Sequence, residues 1–143
     1  MKQDVLITIK GTQHYDEDKD AVELLTKGRF YRKNGSYFIC YDESEATGFE
    51  GTRTTLKIED DRCITMMRSG NNRSQLIIER GVRHQCSYDT GHGSMTIGVS
   101  GDKIVTQLTD DGGEVEFKYS LDLNATLTSE NTVKIKVKKY PES

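Results

Sequence analysis

The sequence predicts an all-β protein: a single antiparallel up-and-down β-barrel of about eight to ten strands. Three observations lead there. Short runs in which apolar and polar residues alternate recur along nearly the whole chain, the period that gives a sheet one dry face and one wet face. These runs are separated by little more than the Asn, Asp and Gly residues needed to turn a strand round. The single proline, Pro141, lies beyond the last run, so no strand is interrupted by one. A meander of that many strands leaves two exposed edges unless it closes on itself, and closure removes both.

Lys2 to Gln13 sets Val5, Ile7 and Ile9 against Leu6, Thr8 and Lys10, as a half-buried strand does. The acidic stretch His14 to Asp20 follows as a loop. Its Asp16, Asp18 and Asp20 mimic the first ligand positions of a calcium loop, but Ala21 stands where the glycine is needed and Lys27 where the bidentate glutamate is needed, so a solvated loop is expected. Ala21 to Lys33 is the second strand, with Val22, Leu24, Thr26, Gly28 and Phe30 on one face and Gly28 permitting a bend or bulge where the sheet coils. Asn34-Gly35 is the strongest hairpin signal, because both turn positions favour positive φ. Ser36 to Glu43 is apolar on both sides, which points to cover on both faces, and Glu43 to Ala46 could form a helical turn.

From Gly51 to Gly101 the alternating runs follow closely. Thr52 to Glu59, Arg62 to Ser69, Ser74 to Arg80, Val82 to Thr90 and Ser94 to Ser100 read as strands. Lys103 to Thr109 comes next, and after Asp110-Asp111-Gly112-Gly113 an amphipathic strand carries Val115, Phe117, Tyr119, Leu121 and Leu123. Thr132 to Lys139 closes the series, with Val133, Ile135 and Val137 inside and a row of Lys134, Lys136 and Lys138 on a solvated face.

The composition bounds the function. One domain spanning residues 1–143 can bury a core without a metal or disulfide staple. With 34% apolar residues and no Trp, most strands must keep a wet face. The net charge of −3 comes from 20 basic and 23 acidic residues interspersed along the chain, which argues against a nucleic-acid or anionic-membrane partner. The apolar run Val5 to Ile9 is too short for a signal-peptide core, and no stretch approaches a membrane-spanning length, so a cytoplasmic location is expected. Cys40, Cys63 and Cys86 are widely spaced and read as free, mostly buried thiols; a soft-metal cluster would require barrel closure to bring them together.

Gly51-Thr52-Arg53-Thr54-Thr55-Leu56-Lys57-Ile58, Met67-Arg68-Ser69-Gly70, Tyr88-Asp89-Thr90 with Gly93, and Tyr119-Ser120-Leu121 occur in an order and spacing that resemble the bacterial DUF1934, or YwiB-like, family. The resemblance covers nearly the whole chain. It implies a lipocalin-like, or calycin, β-barrel and no established activity. The Gly-x-Trp signature of true lipocalins cannot occur here, so carriage of a hydrophobic ligand is an analogy from fold. The family pattern has an aromatic where this chain has His92, which weakens a family-wide role for that histidine.

A barrel of about eight strands is just wide enough to fill with side chains or to hold one small ligand. If Ile64 and Met66 point inward, period two turns Arg68 inward too, where a guanidinium needs acceptors. Tyr41, Tyr88 and Tyr119, with the loop acids Glu43 and Asp89, are the candidates. Arg68 then either plugs one end of the barrel by bonding backbone carbonyls or holds an anion with its forked donors. His84, Cys86, Tyr88 and Thr90 share a face, and His84 with Cys86 could reach a metal if His92 and Cys40 or Cys63 joined them. Two-residue spacing alone is a common accident, so no metal is expected. Asp89-Thr90-Gly91-His92-Gly93 feeds a strand, not a helix, and reads as a hairpin turn. No cofactor motif, activated nucleophile or oxyanion hole stands out. The expected function is small-molecule binding, with Arg68, Tyr88, His84, Tyr119, Tyr41 and Thr90 as candidate contacts for an anionic or amphipathic ligand. The alternative is a filled barrel acting through its surface, as an interaction module or homodimer.

Overall fold

The computed structural model describes residues 3–15, 17–44, 50–71, 73–89, 93–124 and 126–139, with Gln3 and Asp89 placed by their backbone alone. Thr90, His92, Asp16, Pro141 and the turn read beyond Ser44 lie outside the described residues.

Ten antiparallel strands form one closed barrel in chain order: β1 (Gln3–Tyr15), β2 (Asp18–Lys33), β3 (Ser36–Asp42), β4 (Thr52–Glu59), β5 (Cys63–Gly70), β6 (Arg73–Glu79), β7 (Arg83–Asp89), β8 (Ser94–Thr109), β9 (Gly112–Leu123) and β10 (Thr126–Lys139). Closure is completed by β1 against β10, whose register runs from Val5↔Lys139 to His14↔Glu130. The lysine row of β10 therefore lies on an outer face between two paired neighbours and not along an edge.

Alternation holds around the whole wall. Ile7, Ile39, Leu56, Ile58, Ile64, Ile78, Val115, Phe117 and Ile135 point into the lumen and are almost fully buried. Ten strands enclose more space than eight, yet this apolar set fills the lumen through most of its height. Asn34 and Gly35 take φ of 53° and 82°, the left-handed pair that a two-residue hairpin requires. At Gly28 the wall closes so tightly that an added Cβ would overlap Ile7 Cδ1 and the Cys40 carbonyl oxygen.

Three boundaries differ from the sequence reading by more than two residues. The runs on either side of Gly101-Asp102 are one strand, β8, which absorbs an irregularity between Gly101 and Lys103 and so changes which parity faces inward. β10 begins at Thr126, because polar Ser129 and Asn131 continue the buried face. β2 begins at Asp18, so Asp18 and Asp20 belong to a strand and not to an acidic loop.

Both faces of β3 are covered, as its apolar pattern requires. Tyr31 and Phe38 stack outside at 5.0 Å between ring centroids, while Phe30 and Tyr37 stack at 5.2 Å. β6 and β7 pair only at Arg73↔Asp89 and Ser74↔Tyr88, after which the strands part and the Ile77 amide donates to Cys86 Sγ at 3.4 Å. Among the described residues, no helix is long and apolar enough to cross a membrane.

Candidate functional site

The connections alternate between the two ends of the barrel; at one of them, turns of a few residues join β2 to β3, β4 to β5 and β8 to β9. At the other, β3, β4, β5, β7 and β9 deliver Tyr41, Thr54, Arg68, Tyr88 and Tyr119. Register explains the meeting. Tyr41 is opposite Thr54, Thr54 opposite Arg68, Arg68 opposite Ser74, and Ser74 opposite Tyr88, so one inward-facing row crosses four ladders. Glu43 continues the inward parity of β3 and is held by its amide donating to the Thr52 carbonyl at 2.8 Å.

Arg68 Nε stands 3.8 Å from Glu43 Oε2, and the two side chains are only 14% and 3% exposed. Such burial penalises the ionised carboxylate and pushes Glu43 above its ordinary range. Arg68 opposes that shift, as do the neighbouring Thr54 and Tyr41 side chains. Burial likewise raises the Tyr41 phenol, aided by the Glu43 charge, and raises Tyr119; Arg68 pulls both back. Both phenols are therefore neutral, and each offers an O–H group beside the ion pair.

Over this row lies a cavity of about 250 Å³ that opens to solvent. Its walls are Ile9, Val22, Leu24, Met66, Leu76, Leu121 and Val133; its polar lining includes Tyr41, Glu43, Arg68, Tyr88, Tyr119 and Asn131. The length of β1, β2, β9 and β10 makes this possible, since their inner faces continue past the point where β3 to β7 end. Two other hollows, around Arg29 with Arg53 and around Ser69 with Gly70, open on exposed charged surface and lack such walls.

The structure brings four of the expected contacts, Arg68, Tyr41, Tyr88 and Tyr119, to this one cavity. It does not bring His84. That ring faces inward but sits toward the opposite end, where Nε2 lies 3.0 Å from Glu79 Oε1. Cys86 is buried in the core, Cys63 is buried on the other face of its strand, and Cys40 accepts a hydrogen bond from the Thr55 hydroxyl at 3.4 Å. Among the described residues, no three His, Cys, Asp or Glu side chains converge as a metal site.

The sequence reading missed Thr54 and Asn131. Thr54 is fully buried, and its signal was available in its parity with Leu56 and Ile58. Asn131, whose Nδ2 donates to Ser129 Oγ at 3.1 Å, shares the parity of Val133 and Ile135, but it precedes the point at which apolar residues announce the strand.

The model of the domain of unknown function DUF1934 matches residues 7–135, every strand of the barrel wall included at least in part. The chain belongs to the DUF1934 family. A curated relative, "Uncharacterized beta-barrel protein YwiB" of Bacillus subtilis (strain 168), is 24% identical over 123 residues, covering 85% of this chain and 84% of that protein. The crystal structure of the ywiB protein from Bacillus subtilis superposes with a TM-score of 0.76 over 94% of this chain and 92% of its own, at 17% identity. That likeness extends to the fold. In this DUF1934 chain the matched span takes in the whole row from Tyr41 to Tyr119.

Proposed function

We propose that this DUF1934 protein is a cytoplasmic binding module whose barrel end takes up one small amphipathic or anionic molecule. The observation that carries the reading is the placement of a buried ion pair, Arg68 with Glu43, on the polar side of a cavity whose other walls are aliphatic. An arginine that merely plugged a barrel end would not need the apolar walls that β1, β2, β9 and β10 supply. A lining of apolar residues with a few convergent polar groups is the usual composition of a ligand site. About 250 Å³ falls just below the roughly 300–1,000 Å³ common for such sites, which favours a molecule smaller than a typical drug.

The outer wall supports an aqueous setting. Lys103 reaches Glu116 at 3.0 Å and Lys136 reaches Glu114 at 3.3 Å on the outward face, whereas the inward face is aliphatic. A barrel facing lipid needs the reverse. The most exposed apolar side chains, Leu25 and Leu127, lie on different strands and form no continuous patch with each other, so the interaction-module reading gains nothing from them.

Thermal-shift measurements with monocarboxylates of graded length, inorganic phosphate and matched alcohols test the proposal. A true ligand at a hundred times its Kd should raise Tm by roughly 5–10 °C. The response should be lost in Arg68→Met. A wild-type Tm that no compound moves, or a variant that responds as the wild type does, removes the binding reading.

A further inference from the structure

Among the described residues lining the cavity there is one cation, Arg68, and it already faces an acid, Glu43. The other lining acid, Asp20, is an exposed group of β2. Around the pair stand Tyr41 from β3, Thr54 from β4, Tyr88 from β7, Tyr119 from β9 and Asn131 from β10, none of which carries a formal charge at neutral pH. An incoming anion therefore cannot bind as it would to an arginine awaiting a counter-ion. It adds a second negative charge beside Glu43 in a site where charges are poorly screened.

We infer that the cavity takes a monocarboxylate with a short apolar tail, and that this molecule displaces Glu43 as the counter-ion of Arg68 while Glu43 takes up one proton from solvent. The inference rests on the reading of the cavity as a binding site and says which ligand enters it and how. Protonation keeps the local charge unchanged: one guanidinium, one carboxylate before binding and one after. It also turns Glu43 from an acceptor into an O–H donor that can bond the incoming carboxylate. Burial already disfavours the ionised form of Glu43, so a second carboxylate nearby tips it to the neutral form. The aliphatic walls, Ile9, Leu24, Leu76 and Val133 among them, suit a short hydrocarbon tail. A phosphate dianion brings two charges to a single guanidinium and no tail.

Isothermal titration of the full chain with hexanoate, between about pH 6 and pH 8 where the probe is ionised, reads the proton directly. The expected result is a binding enthalpy that differs between phosphate and Tris buffers by the heat of about one buffer proton. Kd should weaken by up to tenfold per pH unit above the range in which free Glu43 ionises. Glu43→Gln should remove both dependences while still binding hexanoate. Hexanoate that binds with the same enthalpy in both buffers and a flat Kd overturns the exchange but leaves the binding site standing. Hexanol binding as tightly as hexanoate, or phosphate binding where hexanoate does not, overturns the ligand class. If hexanoate, hexanol and phosphate all give no heat and no thermal shift, the inference and the binding reading fall together.

Discussion

The two ends of the barrel start from the same alternating strands and are finished in different ways. One end is closed by turns of a few residues and by contacts that reach across the opening. Tyr37 stacks on Phe30 and donates to Asp110 at 3.0 Å, Arg32 lies 5.6 Å over the Tyr37 ring, and Asp61 accepts from the amide and hydroxyl of Thr106, each at 2.7 Å. The other end leaves a buried ion pair, two raised phenols and an open cavity. The difference teaches that the polar end is not simply where the core runs out. Aliphatic walls continue past Arg68 on the long strands, so the polar row lies inside a hydrophobic sleeve. A fold concerned with stability alone gains little from that arrangement, because a buried ion pair often stabilises less than apolar residues of the same volume.

The largest effect should come from the packed region. Phe117 is fully buried and stacks 6.0 Å from Tyr119, so Phe117→Ala removes most of a ring's contacts and leaves a void. A loss of about 3–5 kcal/mol is expected, read as a lower denaturant midpoint at unchanged slope. A loss under about 1 kcal/mol would mean that the lumen around Phe117 is loosely filled, and the contrast between the ends would fail.

Arg68→Met should cost less and should behave differently with pH. Removing the guanidinium takes away the main influence holding the Glu43 proton affinity down. The sign follows from linkage. A carboxyl whose folded pKa lies above its unfolded value weakens the fold as pH rises through that window, and the variant widens the window. At about pH 8 the variant should therefore be less stable by about 2 kcal/mol, the scale of a buried charge left without its partner. As pH falls through the raised Glu43 value the difference should vanish, because a neutral carboxyl needs no counter-ion. Equal losses at pH 8 and pH 5 would show that Arg68 acts by packing and not by charge.

Much of this was legible in the alternation of residues, because period two assigns each side chain to a face and one buried face leaves little freedom of register. Arg68 could be placed inward from Ile64 and Met66, and Tyr119 from Val115 and Phe117. Parity does not give height along the barrel. His84 and Tyr88 share a face of β7, yet the first pairs with Glu79 near the closed end and the second lines the cavity. That separation depends on the registers of neighbouring strands, which a single sequence does not state. Glu43 was legible only as a nearby acid, since it stands one residue past the end of β3 and its inward turn is fixed by a backbone bond to Thr52. The continuity of β8 was hidden because Gly101-Asp102 has the composition of a turn, while here it forms an irregularity within one strand.

The smallest expected effect tests how the closed end is held. Asp61 lies in the exposed turn between β4 and β5, and its carboxylate accepts both the hydroxyl and the backbone amide of Thr106 on β8. Those two bonds, the hydroxyl first, hold its pKa below the ordinary aspartate range. For a group whose folded value is depressed, the stabilisation is present above the unfolded value of about 3.9 and is lost as pH falls through the folded value. Asp61→Ala should therefore cost about 1 kcal/mol at neutral pH, near the low end for bonds to a charged group because solvent can replace the acceptor. Asp61→Asn, which keeps an acceptor but not the charge, should recover part of that loss. The gap between wild type and Asp61→Ala should narrow in acid, the opposite of what Phe117→Ala should show, since a void costs the same at any pH. A gap that stays constant down to about pH 2 would mean that the turn is held by its shape and that the carboxylate contributes nothing to closing this end.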